Sequence, residues 1–271
     1  MSHLTAPRRR GFFARLAVAM WLCVWGGPDM RAVWGALPPI TWGSAQTVTG
    51  DSDVDTSGTL LYAYTFGSSG VSGTTVNGVA FSPFAVAPSA PQTVTVGNVT
   101  LTESPGRLFA SNLLGSVSGS FGALSSSYRS LLGSGVYADS PFTITVLLSG
   151  LTNGQQYRLQ WWTNDATNSF LFSNTTATAV NSVTLDANTS NAAGGVGQYA
   201  IGTFTASGTS QQFQLTETSG GINPLINALQ VRAVPESSTY ALALGGLACG
   251  GWRVRRRRKT RFQSERHHSK Q

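Results

Sequence analysis

Short runs of alternating apolar and polar residues make up the chain from residue 46 to residue 233. Alternation with a period of two is typical of β-strands that bury one face. Asn153-Gly154 is a strong hairpin signal between two such runs, and Asn77-Gly78 and Gly97-Asn98 are weaker turn signals. The pattern predicts about nine strands, at Thr59–Phe66, Thr75–Phe81, Gln92–Leu101, Phe142–Leu148, Gln155–Thr163, Thr176–Leu185, Gln198–Thr205, Gln211–Thr218 and Ile226–Val234.

One segment of this region has the periodicity of a helix instead. Its apolar positions recur at i, i+4, i+7 and i+8, and Gly133 closes the run. About nine strands in roughly 190 residues favour an all-β fold, and we expect a two-sheet antiparallel sandwich, jelly-roll-like, with one short helix. The apolar positions of that helix are Leu124, Tyr128, Leu131 and Leu132.

The N-terminus carries an apolar run behind arginines. Arg8–Arg10 and Arg15 precede the apolar residues 16–25, an order typical of a secretory signal. The run is too short to span a bilayer comfortably. We expect residues 1–45 to form an export segment. A second apolar stretch at 32–42 either extends the first one, or belongs to a signal whose translation starts at a later methionine. A retained anchor and a buried core helix are the alternatives.

The C-terminus has an apolar run followed by a basic cluster. Residues 237–252 contain no charged side chain, and at about 1.5 Å per residue they reach roughly 24 Å, a short membrane span. We predict a transmembrane helix over 238–252 and a basic cytoplasmic tail at 260–271. Basic residues stay on the cytoplasmic side, which places the body outside. This topology cluster consists of Arg253, Arg255, Arg256, Arg257, Arg258 and Lys259.

A short motif stands directly before the apolar run. Val234, Pro235 and Glu236 precede it, and Ser237 follows them. The order of motif, apolar segment and arginine cluster resembles the PEP-CTERM sorting segment of exported bacterial proteins, with Ser237 where that family's second proline is usual. The resemblance covers residues 234–259 and implies recognition and processing by an exosortase-type membrane protease. A plain C-terminal anchor is the alternative.

Charge separates the ends of the chain from its middle. The whole chain has 18 Lys and Arg against 11 Asp and Glu, a net charge of +7, whereas residues 47–234 hold four arginines against eight acidic residues. A body with a net charge of −4 is not a surface that follows nucleic-acid phosphates. The body also has no His, Cys or Lys, which excludes Ser-His-Asp and Cys-His catalysis, His or Cys zinc sites and P-loops. No cofactor is expected.

One predicted strand combines large aromatic and polar side chains. Alternation along Gln155–Thr163 places Tyr157, Leu159 and Trp161 on one face, and Trp162 with polar residues on the other. Sugar-binding sandwiches use an aromatic plane together with amides, carboxylates and guanidinium groups. The alternative is an ordinary solvated or helix-covered sheet face. The glycan-binding candidates are Arg158, Gln160, Trp162, Asn164 and Asp165.

Three acidic residues alternate just before the first predicted strand. Asp51, Asp53 and Asp55 resemble the start of a calcium loop, in which alternate oxygens wrap the ion. An EF-hand requires Gly at the sixth position and Glu at the twelfth, where this chain has Thr56 and Tyr62. We therefore favour a solvated acidic turn over a calcium site, and we predict no metal centre.

These observations lead to one expected function and two alternatives. We expect an exported, non-enzymatic β-sandwich that acts as a structural or adhesive component of the cell surface or extracellular matrix. Its expected partners are the export machinery, the exosortase-type protease, polysaccharide, and the membrane through the C-terminal helix before processing. The alternatives are a carbohydrate-binding module that contacts exopolysaccharide and a secreted glycan hydrolase. For the hydrolase, no two carboxylates are brought to the required separation by the sequence; the candidates are Glu103, Asp139, Asp165, Asp186 and Glu217.

Overall fold

Residues that alternate in polarity form strands in most of the chain that the structure, a computed structural model, describes. The described residues are 39–89, 91–138, 143–168, 172, 174–218 and 223–235. They contain seventeen strands, two short helices and a 3₁₀ turn at Asp51–Asp53. The strands are β1 (Thr41–Trp42), β2 (Gln46–Thr47), β3 (Thr59–Ser68), β4 (Thr74–Val76), β5 (Val79–Val86), β6 (Thr93–Val96), β7 (Val99–Ser104), β8 (Leu108–Ser111), β9 (Gly135–Ala138), β10 (Thr143–Ser149), β11 (Gln156–Thr163), β12 (Asn174–Ala179), β13 (Asn181–Asp186), β14 (Gln198–Thr205), β15 (Ser210–Glu217), β16 (Leu225–Ile226) and β17 (Ala228–Ala233).

The strands form three sheets. The first has the order β1-β14-β11-β17-β3-β5-β4, with β2 also paired to β14. The second has the order β13-β12-β15-β10-β7-β6, and the third has the order β16-β9-β8. Only β3 and β5 run parallel among these described strands. The prediction of a mostly β fold built from antiparallel sheets is therefore confirmed.

The first and second sheets share one hydrophobic core, as the two layers of a sandwich do. From the first sheet, Leu159 and Trp161 of β11 enter this core, and from the second sheet, Phe213 and Leu215 of β15 do. Tyr157 joins them, so the apolar face predicted for this strand is the core face. The alternation in sequence thus decides which residues of β11 enter the shared core.

A second hydrophobic cluster covers the opposite face of the first sheet. Trp162 of β11 packs there with Val54 and with residues of a helix, α2 (Ser126–Leu132). The helix is the one that the sequence predicts, and it begins where the Ser125 hydroxyl accepts the Tyr128 N–H at 3.1 Å. A four-residue helix, α1 (Gly119–Gly122), precedes it and is not predicted. The first sheet therefore packs against apolar side chains on both of its faces.

The hairpin predicted at Asn153-Gly154 is wrong. These residues connect β10 in the second sheet to β11 in the first, so the chain changes layers there. The two weaker signals, Asn77-Gly78 and Gly97-Asn98, do form hairpin turns, and each divides one predicted strand into two. Gly78 in a hairpin turn and Gly154 in a connection between layers both have positive φ values, of 75° and 82°. A local turn preference therefore does not decide which layer the next strand joins.

The described fold begins earlier than the predicted domain start at residue 46. Thr41 and Trp42 pair with Thr203 and Gly202 of β14, and Ile40 is fully buried in the shared core. At the other end, β17 finishes at Ala233. All described residues belong to one compact unit.

Candidate functional site

Trp162, the central glycan-binding candidate, lies beneath α2 with 0% of its surface exposed. Its indole Nε1–H donates to the Tyr128 hydroxyl at 3.0 Å. The rings of Phe81 and Tyr199 lie 5.9 and 6.2 Å from it, centroid to centroid. A ring enclosed in this way offers no plane to a sugar in solution. The geometry favours the alternative interpretation, a helix-covered sheet face.

Polar side chains of β11 and β17 hold the segment 53–58 against the same face of the first sheet. Gln160 binds the segment through both ends of its amide. Its Nε2 donates to the Asp53 carbonyl at 2.7 Å, and its Oε1 accepts the Asp55 N–H at 2.9 Å. Gln230 donates to the Asp55 carbonyl and to Gln160. The guanidinium of Arg232 donates to three further carbonyls of the segment. These contacts satisfy buried polar groups and leave Gln160 closed to a ligand.

Asn164 and Asp165, the last two glycan-binding candidates, are also buried. The Asn164 Oδ1 accepts the Gly197 N–H at 2.8 Å, and its backbone N–H donates to Asn227. The Asp165 carboxylate accepts both the N–H and the hydroxyl of Thr167. The five candidates thus lie close along one strand and its end, but their polar atoms face the protein, apart from the half-exposed Arg158.

The three acidic residues considered as weak calcium candidates turn to different partners. Asp51 accepts the Ser125 hydroxyl at 2.6 Å, whereas Asp53 accepts two backbone N–H groups and the hydroxyls of Thr49 and Tyr128. Asp55 accepts the Arg158 Nε–H at 2.6 Å. In the part of the chain that the structure describes, no group of three or more His, Cys, Asp or Glu is placed to hold a metal ion.

Electrostatics follow from these contacts. Burial alone would raise the pKa of Asp55, but hydrogen bonds from Arg158 and Ser57 outweigh it and hold this pKa below its usual value. Burial, with the nearby Asp53 carboxylate, raises the pKa of Tyr128 far above its usual value. Tyr128 therefore stays protonated and serves as a hydrogen-bond relay between Trp162 and Asp53.

Asp165 and Asp186, two of the hydrolase candidates, line one small cavity of about 250 Å³. Each carboxylate accepts hydrogen bonds from its own loop, Asp165 from Thr167 and Asp186 from the Asn188 N–H at 2.8 Å. Asparagines supply most of the remaining lining. This arrangement resembles the bracing of two loops by Asx turns rather than a pair of carboxylates free to act on a substrate. Asp139 lies outside the described residues.

The outer face of the second sheet is a broad polar surface that the sequence analysis does not single out. Its residues alternate with the core residues of β6, β7, β10, β12, β13 and β15. Asp186, at the end of β13 opposite Asn174, is the one charged residue that follows this alternation. The other residues are uncharged, and all but Thr176 are exposed or half-buried. We call this surface the threonine face; it consists of Thr93, Thr95, Thr100, Thr102, Thr143, Thr145, Leu147, Thr176, Thr178, Ser182, Thr184, Gln212, Gln214 and Thr216.

The strand register arranges this face as rows. One row crosses all six strands and consists of Thr93, Thr102, Thr145, Gln214, Thr178 and Ser182. Neighbours in such a row are about 4.8 Å apart, and successive rows are about 6.8 Å apart. Threonine hydroxyls bond across strands, at 2.8 Å between Thr95 and Thr100. The sequence carries the signal as threonine at every second position, in 93–96 and 143–146.

Comparisons with known protein families, curated proteins and solved structures each find no match. Of the predicted sorting motif, Val234 and Pro235 are described, and the Val234 N–H donates to the Gln156 carbonyl at 2.9 Å. Glu236, the helix predicted over 238–252, the topology cluster and the tail lie outside the described residues. Neither helix within the described ranges is long and apolar enough to cross a membrane.

Proposed function

We propose that this protein is an exported, non-enzymatic β-sandwich that acts as an adhesive or structural component of the cell surface or extracellular matrix. The arginine-flanked apolar ends support export and sorting by an exosortase-type protease. Before processing, the C-terminal helix anchors the protein in the membrane, with the body outside.

We propose further that the body is a jelly roll. In that fold, eight strands alternate between two four-stranded sheets in two Greek keys. The orders β3-β17-β11-β14 and β10-β15-β12-β13 support this assignment, because the chain enters the strands in the sequence such a winding requires. The strands β4 to β9 then form an insertion between the first and second strands of the roll. Jelly rolls occur in lectins and other binding proteins, which is compatible with adhesion.

The threonine face is the observation that carries the adhesive function. A partner that is neutral and rich in hydroxyl groups can exchange hydrogen bonds with threonine and glutamine without stripping water from a charge. Each hydroxyl contact contributes little, so a regular array over six strands is needed for useful affinity. The partner that this chemistry fits is a neutral polysaccharide, which favours the carbohydrate-binding form of the proposal over a hydrolase.

The test is sedimentation of the protein with an insoluble neutral β-glucan. Lysine at Thr102 and Thr145, in the middle of the face, places two strongly hydrated charges against the neutral polymer. We expect the double variant T102K/T145K to bind at least tenfold more weakly than the wild type. Thr205→Lys, on an exposed residue of β14 in the other sheet, is the matched control and should bind normally.

Two results would overturn the proposal. One is absence of wild-type sedimentation with the glucan. The other is full sedimentation of T102K/T145K with an unchanged circular dichroism spectrum. A folded double variant with weak binding, beside a control that binds normally, supports the proposal.

A further inference from the structure

An open groove lies beside α1 and α2, away from the threonine face. Its volume is about 890 Å³, within the range of roughly 300–1,000 Å³ typical of ligand sites. Three parts of the chain form it: the turn after β3, the loop after β8, and the two helices with the residues that follow α2. We call it the Arg129 groove; its lining includes Asn112, Leu113, Ser116, Val117, Arg129 and Ser134.

Arg129 is the one charged side chain that lines this groove. The side chain is half-buried, and its Nη1 donates to the Gly122 carbonyl at 3.3 Å. No carboxylate forms an ion pair with it among the residues that the structure describes, whereas Arg158 is paired with Asp55. A guanidinium has five N–H donors, so most of those on Arg129 remain for an anion.

Ser134 supplies a second, independent sign of a ligand. The residue is only 5% exposed, lines the groove and lies two residues beyond the end of α2. Its hydroxyl is buried and has no hydrogen-bond partner. Buried hydroxyls are normally paired, so an unpaired one in a residue that lines the groove points to a partner supplied by a ligand. Further hydroxyls line the groove at Ser116, Ser126 and Ser130.

Two exposed apolar side chains stand at the rim of the groove. Leu113 is 82% exposed and Val117 is 91% exposed, although leucine and valine are usually buried. Of the large apolar side chains in the described residues, only Val180 is comparably exposed, and it lies elsewhere. Two such residues on one groove provide a surface for C–H groups of a bound molecule.

We propose that the Arg129 groove binds an acidic oligosaccharide, with a carboxylate on Arg129, hydroxyl groups on Ser134 and its neighbours, and ring C–H groups against Leu113 and Val117. Peptide recognition usually adds a strand to a sheet edge or seats a helix in an apolar groove. The lining here offers a single cation among hydroxyl groups, which matches a polyhydroxylated acid better than a peptide. The inference rests on the proposed function only in that an exported protein meets such polymers.

The probe is trigalacturonate, titrated calorimetrically against the full protein. Its methyl ester, which keeps the rings and loses the charge, is the matched ligand. We expect binding of the acid that weakens with salt, and at least tenfold weaker binding of the ester. Equal binding of acid and ester, or tighter binding of pentaglutamate than of trigalacturonate, would overturn the proposal.

Two variants locate the site. Arg129→Gln should lower trigalacturonate affinity at least tenfold, whereas Arg107→Gln, on an exposed arginine outside the groove, should leave it unchanged. Ser134→Ala should weaken binding while leaving the melting temperature of the free protein unchanged or higher, because the hydroxyl has no partner to lose. Unchanged affinity in either groove variant contradicts the site.

The two proposals fail separately. T102K/T145K should bind trigalacturonate normally, since its changes lie on the threonine face. Arg129→Gln should sediment with the neutral glucan normally. A loss of both activities in one folded variant would contradict the assignment of two separate surfaces.

Discussion

At the scale of the residue, the side chains that suggest a sugar site are the ones that build the interior. Trp162 fills the space between α2 and the first sheet, and Gln160 holds the segment that crosses the sheet. Aromatic and polar residues at alternate positions occur both in open sugar-binding faces and in covered sheet faces. Here α2 and residues 53–58 cover the face, and this cover is what distinguishes it from a sugar site.

Replacing Trp162 should therefore affect stability. We expect Trp162→Ala to lower the free energy of unfolding by about 3–5 kcal/mol, through lost burial and the cavity it leaves. Trp162→Phe should cost less, since it keeps most of the volume but loses the bond to Tyr128. Urea unfolding measures both, with the exposed Val180→Ala as a control expected within about 0.5 kcal/mol. A stable Trp162→Ala variant that loses glucan binding would contradict the buried placement.

Asp55 should make stability depend on acid pH. Its folded pKa is below its usual value, so the ionised carboxylate stabilises the fold above an unfolded pKa of about 3.9. That contribution disappears as pH falls through the folded pKa. Asp55→Asn should be less stable than the wild type at pH 7, with the difference narrowing below about pH 4. If the difference in unfolding free energy between the two proteins is the same at every pH, the Asp55 carboxylate does not have this stabilising role.

At the scale of the element, strand length and turn position depend on single glycines and asparagines. The two-residue turn Asn77-Gly78 joins β4 to β5 with positive φ at both residues, as a type I′ turn requires. The sequence shows this turn signal and the stronger one at Asn153-Gly154. It does not show whether the two strands that flank a turn pair within one sheet.

The Gly78 position should be intolerant of a side chain for conformational reasons alone. Gly78 has φ of 75°, and a Cβ there would meet nothing within 4 Å. We expect Gly78→Ala to cost about 1 kcal/mol of unfolding free energy. Gly50, equally open but in extended backbone, is the matched control, and Gly50→Ala should cost less. If thermal unfolding shows the same loss of stability in Gly78→Ala and Gly50→Ala, the loss at Gly78 is not due to backbone strain.

At the scale of the whole molecule, the first strand lies within the segment that the sequence assigns to export. Ile40 is buried in the shared core, and Trp42 packs edge-on against Phe213 at 5.9 Å. A mature chain that began at residue 46 would lose both contacts and leave part of β14 unpaired. Folding therefore favours a processing site upstream of Ile40.

Two chains of different length test this. A protein that begins at residue 39 should have a higher melting temperature than one that begins at 46, because burying Ile40 alone contributes about 1.5–3 kcal/mol. Ile40→Ala in the longer chain should reproduce part of the difference. N-terminal sequencing of the exported protein should find Ile40 retained. Equal melting temperatures would contradict a structural role for β1.

The sorting proposal predicts where the protein accumulates. Deleting residues 237–271 removes the apolar run and the arginine cluster, so we expect the body to pass into the medium instead of remaining at the envelope. Replacing the six basic residues of the topology cluster with serine should impair retention without changing the body. Fractionation with immunoblotting measures both. A protein that stays in the cytosol regardless of these changes would contradict export.

The sequence alone determined which face of β11 enters the shared core, since polarity that alternates every two residues puts Tyr157, Leu159 and Trp161 on one side of the strand. It also determined the helix, through the spacing of Tyr128 and Leu131. The tertiary structure decided which strands become neighbours, that Trp162 is covered, and that threonines from six strands form one face. These features depend on contacts between residues far apart in the chain, which local periodicity does not encode.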